Sequence, residues 1–185
     1  TTLDVDEVLR ITDSFVLYEL NFERCLVLLR TQDDGQFAVR AMEGYYDEQV
    51  AARMAGLTLE ADSPVLGPLF AGQAQIIREM TDDEPDRRAL GEMFGMNEYH
   101  LFQLPSESGS PLGLLVAGNS AEMAAFHTRV AAESLGMLGL ANLVSLTTTA
   151  IKNTNSYHAL ESERRSLEVR IEARTHELRE AKEAA

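Results

Sequence analysis

An apolar stripe recurs at heptad spacing through the last third of the chain and continues for six heptads. With Ala150 at position a, the a series is Leu143, Ala150, Tyr157, Arg164, Ile171, Leu178 and Ala185. The d series is Leu146, Asn153, Leu160, Leu167, Arg174 and Ala181. A 3.5-residue repeat sustained that long keeps its stripe turned toward a partner helix, so it predicts a parallel or antiparallel coiled coil, not a surface helix. The pattern is still running at Ala184-Ala185, and the chain opens on Thr1 without a Met. The expectation is a piece of a longer protein: a dimerising rod that leaves a globular body and points at a further domain.

The charge divides between these two parts. From Ile151 onward seven Lys/Arg cancel seven Asp/Glu, whereas residues 1–150 hold nine basic and 23 acidic groups, so the net −14 lies on the body. Such a field repels phosphate backbones and anionic lipid surfaces, which argues against nucleic-acid binding. The apolar runs are too short for a membrane span, and Thr1-Thr2-Leu3-Asp4 has neither the basic nor the apolar part of a signal peptide. Membrane contact by this segment is not expected.

Cys25 is the one cysteine, which excludes an internal disulfide and any multi-cysteine zinc or iron–sulfur site. Set in Arg24-Cys25-Leu26-Val27-Leu28-Leu29, it reads as a small hydrophobe of a buried strand. A chain that uses no disulfides fits a reducing cytoplasm.

Local patterning gives the order of elements. Val5, Val8, Leu9, Thr12, Phe15 and Val16 fall on one helical face, with Asp4 or Asp6 as N-cap, predicting a helix to about Glu19. Phe22 to Leu29 and Phe37 to Met42 read as two strands joined at Asp33-Asp34-Gly35. A short helical stretch follows to Met54. Asp62 or Ser63, then Pro64, open another helix with Leu66, Leu69 and Phe70 inward and Gly72 at its end. Gln75 to Ile77 is a short strand. Pro85 to Phe94 is a helix closed by Gly95. Tyr99 to Leu104 and Leu112 to Gly118 are the last strands, the final one apolar enough to be central. From about Ala121 the pattern looks helical to the end, with Gly136 and Gly139 as places for close packing. The layout is α+β: an antiparallel sheet flanked by helices, as a body over residues 1–150, then a long C-terminal coiled-coil helix over 151–185.

In order and spacing, these pieces resemble a GAF domain, a sensory module of bacterial signalling proteins, over about Leu3 to Leu160. The resemblance is carried by Leu20-Asn21-Phe22-Glu23-Arg24-Cys25-Leu26-Val27-Leu28-Leu29, the Gly44-Tyr45 turn, Leu112-Gly113-Leu114-Leu115-Val116 and the helix from Leu140 through Tyr157. In addition, Leu167 to Leu178, with Arg174-Thr175 between seam residues, is similar to the linker helix before histidine kinase or diguanylate cyclase output domains. The resemblance implies a sensor region and leaves its output domain open.

GAF domains take small ligands between the sheet and the helices over it. By that resemblance Phe70, Met93, Phe94, Tyr99 and His100 are candidate lining residues, although aromatics and Met at these spacings are more often plain core. The cofactor stays unassigned. An attached bilin needs a cysteine in the later half, which Cys25 is not; the Asn-Lys-Phe-Asp-Glu signature of cyclic-nucleotide binders is absent. His100 and His127 have no second ligand at metal spacing, and the acidic run Asp82-Asp83-Glu84 with Asp86 lacks a calcium-loop pattern. Nothing matches a catalytic motif, so the fragment is expected to be non-enzymatic, with no metal.

The seam carries the expected mechanism. Asn153, Arg164 and Arg174 are polar breaks that lower stability and pin register. In a parallel dimer Glu163 faces the partner's Glu168, which repels, and Glu177 faces Lys182, which attracts. Exposed pairs contribute only about 0.2–1 kcal/mol each. The expectation is a homodimeric GAF-type sensor whose soft coiled coil delivers a signal; the alternative is a ligand-free dimerisation scaffold with a self-filled pocket.

Overall fold

The computed structural model describes residues 4–184. Six antiparallel strands form one sheet in the order β3-β2-β1-β6-β5-β4. They are β1 (Arg24–Arg30), β2 (Phe37–Glu43), β3 (Thr58–Leu59), β4 (Gln75–Arg78), β5 (Glu98–Leu104) and β6 (Gly113–Asn119). The helices are α1 (Val5–Tyr18), α2 (Glu48–Ala55), α3 (Gly67–Phe70), α4 (Pro85–Phe94) and α5 (Leu135–Glu183). As expected from its composition, β6 lies in the middle, with β1 and β5 on its two sides. Being covered on both faces, it is buried from end to end.

Helices close both faces of the sheet. One core holds Val8, Leu9 and Val16 of α1 and Leu140, Leu143, Val144 and Ile151 of α5 against Cys25, Val27, Leu115 and Ala117. The other packs Met54, Leu66, Leu69, Leu90 and Phe94 onto Leu26, Leu28, Tyr99, Leu101, Leu114 and Val116. Alternation along β1 and β6 sends neighbouring side chains to the two cores. Gly136 and Gly139 let α5 approach closely: a Cβ on Gly139 would fall 2.6 Å from Leu20 Cδ2, and one on Gly136 3.3 Å from Phe22 Cζ.

Helix ends follow their chemistry. In α4, the Glu84 carboxylate accepts from Arg87 N–H, Pro85 occupies the first turn, and Gly95 closes the helix in the left-handed region (φ 67°). The acidic run before it is engaged locally: Asp82 accepts two hydrogen bonds from Arg87 at 2.6 and 3.2 Å, and Asp83 pairs with Arg88 at 2.6 Å.

The structure corrects several expectations. The segment after β6 is not helical from Ala121; apart from a 3₁₀ turn at Ala124–Phe126, residues 120–134 form a loop and α5 begins at Leu135. Tertiary hydrogen bonds shape that loop, with Arg129 on Glu98 and Asn119 Nδ2 on Thr128 O. His127 therefore lies in this loop, not on the long helix. The helix expected after Ser63 is instead a 3₁₀ turn, Pro64–Leu66, running into the single turn α3. That leaves Phe70 43 % exposed, whereas Leu66 and Leu69 are buried.

Ile151 and Thr154 are still buried against the body, so α5 leaves it one turn later than residue 150. From Asn155 to Ala184 the chain is almost wholly exposed.

Candidate functional site

The five expected pocket residues do not meet in one cavity. Phe94 and Tyr99 meet in packed core: their rings sit edge to face, 5.6 Å apart, under α4, with Met93 packed against the same cluster. Tyr45 Oη donates to Phe94 O at 2.7 Å, and Tyr99 Oη donates to Arg87 O at 2.8 Å. Burial pushes both phenols up, against the pull of Arg24 on Tyr45 and of Arg78 on Tyr99. The Arg24 guanidinium lies over the Tyr45 ring, 5.1 Å from its centre.

His100 follows Tyr99 on a strand and so faces the other side of the sheet. It sits between Phe22 and Phe102, with ring centres 6.1 Å from each. Neither ring nitrogen has a hydrogen-bond partner. Burial drives its pKa down to about 4, only partly opposed by Glu98, so the ring is neutral. Phe70, at the end of its single turn, points outward. Around Phe94 and Tyr99 the core side chains fill the space between sheet and helices, with Leu26, Leu28, Phe37, Met54, Leu66 and Leu90 fully buried.

On the α1–α5 side a polar thread crosses the core. Thr12 Oγ1 donates to Val8 O at 2.9 Å, leaving Thr147 to donate to Thr12 Oγ1, also at 2.9 Å. Next to it, Asp13 is buried beside Cys25. Desolvation raises the Asp13 carboxyl to about 7, with a hydrogen bond from the Cys25 thiol pulling down and Glu43 pushing up. Burial likewise pushes the Cys25 thiol up, and the negative charge of Asp13 adds to it.

The outer surface of the same helix pair holds an apolar groove of about 500 Å³. Val8, Ile11, Phe15 and Leu20 form one wall, and Leu143, Leu146 and Ala150 the other. Phe15 thus belongs to an exposed surface, not to the buried face expected of it. Ile11, Phe15 and Tyr18 make a second stripe at i, i+4, i+7 beside the buried one. That spacing was visible in the sequence and marks α1 as apolar on two sides. The start of α5 is apolar on two sides as well. An 18-residue window of it has a mean hydropathy of 1.2, yet only 28 % of it is buried. Leu135, Leu138 and Leu146 are exposed.

Of the seam residues, Leu143 is buried against the body and Ala150 is half-buried. Leu146, Asn153, Tyr157, Leu160, Arg164, Leu167, Ile171, Arg174 and Leu178 are exposed. They continue the groove along α5 as a stripe on the protruding helix. Arg164 and Arg174 pair within the helix, with Glu168 at 3.4 Å and Glu177 at 3.0 Å.

A six-stranded antiparallel sheet between an α1–α5 pair and a second helical layer, followed by a long terminal helix, is the fold of a GAF domain. The phycoerythrobilin-bound GAF domain of a cyanobacterial phytochrome superposes with a TM-score of 0.65 at 15 % identity, over 85 % of this chain and 90 % of that one. A segment of a methyl-accepting chemotaxis protein gives 0.64 at 18 % identity, over 83 % and 92 %. A GAF domain/HD domain protein from Geobacter sulfurreducens gives 0.63 at 14 %, over 84 % and 97 %. No protein-family profile matches the sequence, and no curated protein matches it.

Proposed function

We propose that this chain is a homodimeric signalling module of GAF fold, whose α1 and α5 meet their counterparts in a second copy and whose protruding helix carries a change in the body to a C-terminal output domain, such as a histidine kinase. One observation carries this reading. The apolar groove of α1 and α5 is followed, across Asn153, by the exposed heptad stripe from Tyr157 to Leu178, in which Arg164 and Arg174 are the polar positions. A partner helix lying along the stripe reaches the groove by continuing straight, and in a parallel pair groove meets groove and stripe meets stripe. The solved relatives support the reading by their own names, a phytochrome and a chemotaxis protein. A cytoplasmic site of action fits a chain whose single thiol is buried and unpaired.

Native mass spectrometry tests it. The protein is expected to be a dimer, and Phe15→Glu with Leu146→Glu to give a folded monomer. A wild-type monomer at tens of micromolar removes the basis of the mechanism. Retained mass in the double variant confines the contact to the rod.

A second reading is favoured by the filled space around Phe94 and Tyr99: a scaffold that dimerises without a ligand between sheet and helices. A small molecule co-purified in that space, seen as extra mass, decides against it.

A further inference from the structure

The end of α4, the loop after it, the start of β1 and the ends of β4 and β6 frame a second cleft of about 500 Å³, polar where the groove is apolar. Its charged lining is Arg24, Arg78 and Arg88 with Asp83, Glu92 and Glu122. Arg78 is 7 % exposed. Its Nη1 donates to Asn97 O, and its Nε is buried with no partner. The carboxylate whose charge is felt together with that of Arg78, Asp82, is held by Arg87 on two hydrogen bonds. Arg24 stands 3.2 Å from Glu23, and Arg88 has Asp83. Among the described residues, Arg78 is left as a buried cation without a carboxylate within salt-bridge distance. The fold makes room for it: a Cβ on Gly91 would lie 3.2 Å from Nη1 and 2.6 Å from Met96 O.

A buried cation without a counter-charge is unfavourable, and a carboxylate docking on a guanidinium offsets much of that through paired charge-assisted hydrogen bonds. The exposed lining leaves the opposite sign unpaired: Asp83 and Arg88 pair with each other, whereas Glu92 and Glu122 are exposed and enter no ion pair among the described residues. A body with a net charge of −14 repels a plain anion. A molecule negative at one end and positive at the other satisfies all three conditions.

We infer that this cleft binds a small zwitterion of the α-amino carboxylate class, its carboxylate on Arg78 and its ammonium toward Glu92 and Glu122. The site deepens the signalling reading by giving the body an input away from the filled core. Binding itself needs neither a dimer nor an output domain.

Calorimetry and thermal melting of the chain against the free L-amino acids, sodium acetate, inorganic phosphate and ethylammonium chloride test it. At least one amino acid is expected to bind and raise the melting temperature, with acetate and ethylammonium at least tenfold weaker. Arg78→Met is expected to abolish binding. Since that change reaches the interior, Glu92→Gln with Glu122→Gln supplies a surface variant, expected to weaken the amino acid and to leave acetate unchanged. Binding of acetate or phosphate as tight as that of every amino acid overturns the assignment, as does no binding by any amino acid. Either failure leaves the oligomeric mass untouched, so it is distinguishable from failure of the dimer.

Discussion

Thr12 on α1 and Thr147 on α5 share a buried 2.9 Å hydrogen bond between elements far apart in sequence. The proton of Thr12 is committed to Val8 O, so Thr147 is the donor. Thr147→Val leaves the Thr12 oxygen with an unfilled lone pair and is expected to cost about 1 kcal/mol. Removing both hydroxyls in Thr12→Val/Thr147→Val is expected to cost less than the two single changes added together. Urea denaturation of the four proteins closes the cycle. A sum that is strictly additive shows the two hydroxyls to be uncoupled.

Asp13 and His100 push stability in opposite directions with pH. Burial raises the Asp13 carboxyl from 3.8 to about 7, so the folded state retains a proton that the unfolded chain has lost. Its contribution is complete below 3.8 and falls as pH rises toward 7. Burial lowers His100 from 6.5 to about 4, so the unfolded chain binds a proton that the fold refuses. That contribution is complete above 6.5 and falls as pH drops toward 4. Each slope is about 1.4 kcal/mol per pH unit, and between pH 4 and 6.5 they cancel. Asp13→Asn is expected to expose the histidine, so that stability drops on acidification through this window. Chemical denaturation from pH 4 to 8 reads it; an unchanged profile in Asp13→Asn removes Asp13 from the balance.

The sequence was most legible where an element's boundary is chemical. Pro85 and Gly95 bracket α4 because one ring fixes φ at the start and one residue without a Cβ adopts the left-handed turn at the end. It was least legible where distant residues set the shape. Nothing local tells the segment from Ala121 to Ser134 not to be a helix; Glu98 and Asn119 do, through Arg129 and Thr128. Two-residue β3 leaves no periodic trace and was missed. Tyr99 and His100 could be placed on one strand but not on a face. β5 is buried on both sides, so it lacks the polar alternation that marks inside from outside. The heptad stripe was legible along the rod because exposure there leaves the heptad as the only constraint. At Leu143 the sheet claims the same residue.

Glu98 joins the β6–α5 loop to the sheet. Its fully buried carboxylate accepts from Arg129 at 2.9 and 3.0 Å, from Asn119 Nδ2 at 2.8 Å and from Val130 N–H at 3.4 Å. Arg129→Ala leaves that charge without its cation. The change is expected to lower the melting temperature, and Glu98→Gln/Arg129→Ala is expected to recover part of the loss by removing the charge as well. Melting temperatures measure both. If Arg129→Ala costs nothing, Asn119 and Val130 suffice to hold the carboxylate.

Arg164 and Arg174 occupy seam positions, and each pairs with a glutamate of its own helix, which keeps the charge satisfied whether or not a second helix is present. Such positions soften a coiled coil without preventing it, so the proposed rod can hold two registers or crossing angles of similar energy. Replacing both with Leu turns the soft stretch into continuous apolar seam. In Arg164→Leu/Arg174→Leu the dimer is expected to dissociate at least tenfold less readily in sedimentation equilibrium, because two apolar knobs join the interface. In the protein joined to its output domain, the same change is expected to fix the output in one state, on or off. A tighter dimer whose output still switches normally places the signal outside the seam, and then the helix serves to hold two copies together and not to move them.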